Sequence, residues 1–304
     1  MALRVATCQF PVAADIRSNE RYVTRQLRVA RDRGAHVAHF PECALSGYAG
    51  TDFASYARFD WRLLREATER VLELSRELKL WVVLGSSHPL SGRHKPHNSL
   101  YVIHRGELVD RYDKRFCSGD RAQKVGDLSH YTPGNHRTVF EVAGVRCATL
   151  ICYEYRFPEL YREYERQGVQ LVFHSYHAGH ADPRRLAMMR KMAGKDADKL
   201  NPGSTLPEIT MPAAMHVAAA NNYVWISCTN TSARESCWPS FFVRPDGVVT
   251  GRLRRNVSGV LLSEVDLRKK FYDSTVDWRQ RAMRGVFHSG KLVRDRRSAV
   301  RTRL

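Results

Sequence analysis

What most constrains the fold of this chain is an alternation, sustained from Leu3 to Val265, of short apolar runs with stretches of helical spacing. Leu3–Phe10 reads as a strand, Ile16–Arg33 as a helix with Val23, Leu27 and Ala30 on one face, and His36–Phe40 as a second strand. Trp61–Leu78 repeats the helical pattern through Leu64, Ala67, Val71, Leu74 and Leu78, and Leu80–Gly85 follows as a buried run. Asn98–His104 and Glu107–Tyr112 flank Arg105-Gly106 as a hairpin. Periodicity then lapses from Lys114 to Gly134, and a loop of that length in a compact domain usually has a function or is disordered. Strands resume at Thr138–Val142 and Val145–Ile151, then a helix at Phe157–Gln167 and a strand at Val169–His174. A basic stretch from Ala178 to Gly203 holds a helix over Pro183–Met192. Helix Pro212–Asn221, strand Tyr223–Thr229, a hairpin across Pro245-Asp246-Gly247 and strand Val257–Val265 complete the pattern. No internal repeat stands out. The alternation predicts one α/β domain over residues 1–267, with a mixed sheet or a pair of sheets.

Composition excludes wholly disordered and fibrous chains: 43% of the residues are hydrophobic and 26% charged. The net charge of +18 raises nucleic acid as a partner. Half of that excess, however, sits in residues 268–304, where twelve Lys and Arg face three Asp. This basic C-terminal tail also carries Phe271, Tyr272, Trp278, Met283, Val286 and Phe287, groups that a solvated polycation does not need. It is expected to pack on a partner subunit in a homodimer or higher homo-oligomer, and nucleic acid is not expected. No run approaches the roughly 18 apolar residues of a membrane span. The first ten residues lack a signal layout, so a cytoplasmic protein without membrane contact is expected. Seven scattered cysteines lack zinc-ligand spacing and are read as thiols, with no metal or cofactor expected.

In such folds chemistry gathers where strands end. His36–Phe40 runs into Pro41-Glu42-Cys43, the hairpin into Tyr112-Asp113-Lys114, and Val145–Ile151 into Cys152-Tyr153-Glu154. A thiol attacks as thiolate and needs a base, a role open to Glu42, which can later return the proton to a leaving amine. Lys114, with the backbone amide of Tyr153, suits the oxyanion of a tetrahedral intermediate. No metal is needed.

These segments resemble the carbon-nitrogen hydrolase (nitrilase) superfamily, whose members use a Glu-Lys-Cys triad. The resemblance is carried by Phe40-Pro41-Glu42 with Ser46-Gly47-Tyr48, Tyr112-Asp113-Lys114, Tyr131-Thr132-Pro133-Gly134, and Leu150-Ile151-Cys152-Tyr153-Glu154 with Arg156-Phe157-Pro158-Glu159. It implies a four-layer αββα sandwich that dimerises through helices beside the nucleophile. It also implies Glu42 as general base and acid, Lys114 as oxyanion stabiliser and Cys152 as nucleophile. The family's second glutamate falls at Asp127, one methylene shorter, so Asp127 reaches Lys114 only if its loop closes in. Glu154 is expected to pair with Arg156.

The basic stretch after His177 is longer than the family's and is expected to form a lid or an interface. Tyr48, Tyr176 and His177 are expected substrate contacts. The Cys-Tyr-Glu context favours hydrolysis of a small linear amide over nitrile chemistry, and a carboxylate-bearing substrate suits the basic surroundings. N-carbamoyl amine or amino-acid hydrolysis, nitrile hydrolysis and acyl transfer to an amine use the same thioester. A rival of another class is an inactive basic scaffold that binds nucleic acid or an acidic partner.

Overall fold

In a computed structural model of the chain, which describes residues 2–179 and 182–302, the apolar residues of the first strand divide by parity. Strand β1 (Leu3–Gln9) sends Leu3 and Val5 into one core and Ala6 and Cys8 into another. The same split runs through β2 (Val37–His39), β3 (Trp81–His88) and β4 (His97–His104): Val37, Val83, Leu100 and Val102 go one way, Ala38, Val82, Leu84, Tyr101 and Ile103 the other. A sheet with two apolar faces must be covered twice.

Helices α1 (Ile16–Asp32) and α2 (Trp61–Leu78) cover the outer face through Val23, Leu27, Ala30, Leu64, Ala67, Val71 and Leu74. Asp15 and Asp60 cap these helices by accepting from their first-turn amides. The inner face meets a second sheet, whose strands are β6 (Val139–Val142), β7 (Val145–Ile151), β8 (Leu171–Ser175), β9 (Trp225–Thr229), β10 (Phe241–Val243) and β11 (Val249–Arg252). Helices α3 (Pro158–Arg166) and α6 (Leu206–Asn222) close that side with Leu160, Tyr161, Tyr164, Met215 and Ala219. The result is a four-layer αββα sandwich.

The strand orders are β12-β1-β2-β3-β4-β5 and β11-β10-β9-β8-β7-β6, with β5 spanning Glu107–Asp113 and β12 Gly259–Val265. In each sheet three parallel strands (β1, β2, β3; β7, β8, β9) have one antiparallel neighbour on one side and two on the other. The architecture therefore repeats although the sequence does not. A polar seam joins the halves: His39 bonds Ser227 at 2.9 Å and Ser175 at 2.8 Å, and Thr7 bonds Ser227 at 2.7 Å. Burial holds His39 well below the usual histidine range, so this bridge is neutral.

Helix α6 departs from expectation. It begins at Leu206 rather than Pro212, because Thr205 and Glu208 form a reciprocal capping box there. Pro212 lies inside the helix and forgoes one internal hydrogen bond. The basic stretch holds α4 (Pro183–Ala193) and the short α5 (Ala197–Leu200).

The chain divides into two units after Phe271 rather than after Leu267. Phe271 stays with the first unit because its ring packs edge-on against Trp225 and its N–H donates to the Tyr223 hydroxyl at 3.0 Å. The second unit holds two short helices, α7 (Arg279–Met283) and α8 (Arg296–Ala299), and Asp273 accepts from Thr275 and Arg279 within it. No described helix is long and apolar enough to cross a membrane.

Candidate active site

Glu42 stands in the turn that follows β2. Gly85 of β3 runs so close beneath this turn that a Cβ there would lie 2.0 Å from the Pro41 carbonyl oxygen. The turn continues through Cys43 at φ +53°, and the Leu45 N–H returns to the Gly85 carbonyl at 2.9 Å. Glu42 is fully buried. Its Oε1 accepts from Lys114 Nζ at 2.8 Å and Asn98 Nδ2 at 2.7 Å, and its Oε2 from the His177 N–H at 3.0 Å.

Lys114 leaves β5 with its N–H on the Asn98 carbonyl and its ammonium between two carboxylates, since Asp127 Oδ2 lies 2.7 Å away. Burial disfavours the ammonium, but Asp127 and Glu42 together carry its pKa well above the usual lysine value. The shorter Asp127 is compensated by its loop. The Ser118 N–H donates to Asp127 Oδ2 at 3.0 Å, the Asp127 N–H to Ser118 Oγ at 3.2 Å, and the Leu128 N–H to the Ser118 carbonyl at 3.0 Å. Gly126 makes this closure possible: it has φ +63°, and a Cβ there would stand 2.8 Å from the Ser118 carbonyl oxygen. Burial opposes the Asp127 carboxylate, yet Lys114 and the hydrogen bonds hold it below the usual range.

Cys152 directly follows β7 at φ +41° and opens a 3₁₀ turn over Cys152–Arg156, so the Tyr153 amide belongs to this turn and precedes α3. His174 Nε2 meets the Cys152 carbonyl oxygen at 3.2 Å. Burial raises the Cys152 thiol, Glu42 raises it further, and Lys114 only partly offsets them, which favours the SH form. Glu154 does not pair with Arg156. It is buried and accepts from the Ile151, Arg115 and Phe116 N–H groups and the Tyr112 hydroxyl at 2.7 to 3.2 Å. Glu154 thereby ties the segment after Lys114 to the turn that bears the thiol, while Arg156 lies over the Tyr155 ring.

A cavity of about 600 Å³ reaches Lys114, Asp127 and Cys152, and Tyr48, Tyr153 and His177 also line it. The Tyr48 hydroxyl donates to Asp127 Oδ1, and the Tyr48 ring stacks on His177 at 5.0 Å. Tyr176 is not a lining residue. As the first residue past β8 it turns into the core, its ring stacked on His174 at 4.4 Å and its hydroxyl 3.1 Å from Met215 Sδ. Only its carbonyl serves the site, accepting the Glu42 N–H at 3.3 Å. Met188, Met189 and Met192 of α4 line the cavity with Met211 of α6, and Arg156 and Arg185 add two cations.

Sequence reasoning missed Asn98, Asp52 and Arg185. A polar residue opening the hairpin strand was the available signal for Asn98, and the basic insertion was the signal for Arg185. Nothing near Asp52 distinguishes it from a loop carboxylate. Among the described residues no three His, Cys, Asp or Glu side chains converge as a metal would need. The arrangement can pass a proton between a thiol and a buried carboxylate beside a fixed cation.

Comparison with known proteins places the chain in a family. The description "carbon-nitrogen hydrolase" belongs to the family profile that matches residues 4–269. This chain belongs to the carbon-nitrogen hydrolase family. It is 29% identical over 178 residues to the omega-amidase of Xenopus tropicalis, a match covering 56% of this chain and 61% of that protein. It is 28% identical over 178 residues to the deaminated glutathione amidase of Yersinia enterocolitica, with 55% and 60% covered. The matches thus span about three fifths of the length of these relatives. Among solved structures, the fold of this hydrolase-family chain resembles a nitrilase-superfamily amidase from Nesterenkonia AN1, with a TM-score of 0.70, 20% identity and coverage of 93% and 96%.

Proposed function

We propose that the protein hydrolyses a small linear amide through a thioester on Cys152. The observation that carries this reading is that Cys152 and Lys114 line one cavity, with the Lys114 ammonium held between the Glu42 and Asp127 carboxylates. Glu42 takes the thiol proton as sulfur attacks the amide carbon, and the developing oxyanion is met by Lys114 and the Tyr153 N–H. Collapse breaks the C–N bond, and Glu42 returns its proton to the departing ammonia. A water then gives its proton to Glu42 and its oxygen to the thioester carbon, the acid leaves, and the thiol is restored.

Arg156 and Arg185 favour one refinement. Both line the cavity, and among the described residues neither makes an ion pair, so a substrate carboxylate has two available partners. The methionines of α4 give its carbon chain an adaptable wall, the lid role expected of the insertion. A cytoplasmic homodimer is the form in which we expect the enzyme to work.

Ammonia release from a panel of amides, N-carbamoyl compounds and nitriles tests the reading. Amides with and without a distal carboxylate should lead the panel. Cys152→Ala should lose at least a thousandfold in rate, and mass spectrometry of the wild type should find an acyl adduct on Cys152. Equal rates for the variant and wild type would overturn the reading. Inertness to the panel together with salt-sensitive DNA affinity would favour the binding scaffold instead.

A further inference from the structure

One buried polar atom in the cavity has no use in this chemistry. The His177 side chain is 3% exposed, and its Nε2 lies 3.0 Å from Asp52 Oδ2, which also accepts the Tyr48 N–H at 2.8 Å. Tyr48 stacks on one face of the ring, and the His177 main-chain N–H is bonded to Glu42. Asp52 and Tyr48 therefore fix the imidazole, and Glu42 anchors the main chain that carries it. Its Nδ1, however, is buried and bonds no described residue. A buried nitrogen left bare is costly, and here it belongs to a ring that lines the cavity. Burial disfavours the imidazolium, but Asp52, with Glu42 adding, raises its pKa above the ordinary value. With Nε2 committed to a carboxylate, protonation leaves Nδ1–H as an unpaired donor.

We propose that His177, oriented by Asp52, is a specificity-determining residue that donates through Nδ1 to an oxygen on the substrate carbon next to the scissile amide. The enzyme then selects 2-hydroxy or 2-oxo amides over their hydrocarbon counterparts. This rests on the amidase reading above and narrows its substrate class. An acceptor this near the amide is indicated because the His177 main-chain N–H bonds the proposed base, which keeps this residue close to the reacting group.

The matched probes are 2-hydroxypropanamide and 2-methylpropanamide, which differ by a hydroxyl in place of a methyl. The wild type should favour the hydroxy amide in kcat/KM by about tenfold to a hundredfold, the range expected of a hydrogen bond to a charged donor. Asp52→Asn, which preserves shape, and His177→Leu should each bring the ratio within about threefold of unity. A merely structural role would lower both rates and leave the ratio. Binding to Cys152→Ala gives a second readout that needs no turnover. If that variant binds the hydroxy amide at least tenfold more tightly while the wild type releases no ammonia, the inference stands and the amidase reading falls. Equal affinities, binding of neither probe, or a ratio that survives both substitutions would overturn the inference.

Discussion

At the residue scale, the site turns on how one ammonium is shared. Lys114 is pulled by Glu42 from one side and Asp127 from the other. Neutralising Asp127 would leave the cation to Glu42 alone, tighten that pair and make the base a poorer proton acceptor. Asp127→Asn should therefore reduce kcat/KM on the preferred amide by about tenfold to a hundredfold, in keeping with the loss of one partner of a buried charge. Steady-state kinetics would check this, and an unchanged value would reduce Asp127 to an ordinary loop residue. Glu42, Lys114 and Cys152 were legible in the sequence because each sits where an apolar run stops, next to residues that make tight turns. Tyr176 was misread because the alternation of a strand does not fix which way its first residue beyond the end will face. Glu154 was misread because an arginine two residues away looked like a partner, while the four donors that claim it come from distant segments. The free Nδ1 of His177 was illegible for a related reason: a missing partner appears only once every neighbour is in place.

At the scale of elements, the strand and helix order was readable because periods of 2 and 3.6 persist through most of the chain. What could not be read was close approach between elements. Gly85 looks like one more small residue in an apolar run, yet the turn that carries Glu42 rests against its bare Cα. Gly85→Ala should push the Pro41 carbonyl outward, destabilise the fold by roughly 1 to 3 kcal/mol and lower amide turnover by more than tenfold. Thermal unfolding and kinetics together would check it. A variant that keeps both stability and rate would mean that the turn has slack. Helix α6 teaches the same lesson at a terminus, where Pro212 suggested a start and the capping box at Thr205 decided it.

At the scale of the whole molecule, part of the charge excess lies in the second unit. Tyr272–Leu304 concentrates arginines but also carries Trp278 and Phe287, and we read it as an assembly element. Truncation after Phe271 should lower the mass found by light scattering and reduce thermal stability, while a salt-insensitive loss of assembly would indicate apolar contacts. An unchanged dimer of unchanged stability would count against this role.

The repeated strand pattern of the two sheets has a consequence for synthesis. The carboxylate and the ammonium come from the first sheet, and the thiol and its orienting turn from the second. A chain emerging from the ribosome therefore displays Glu42 and Lys114 well before Cys152 exists. The three groups meet only when the later half docks on the earlier one, so on the proposed chemistry a polypeptide not yet extended to Cys152 lacks its nucleophile.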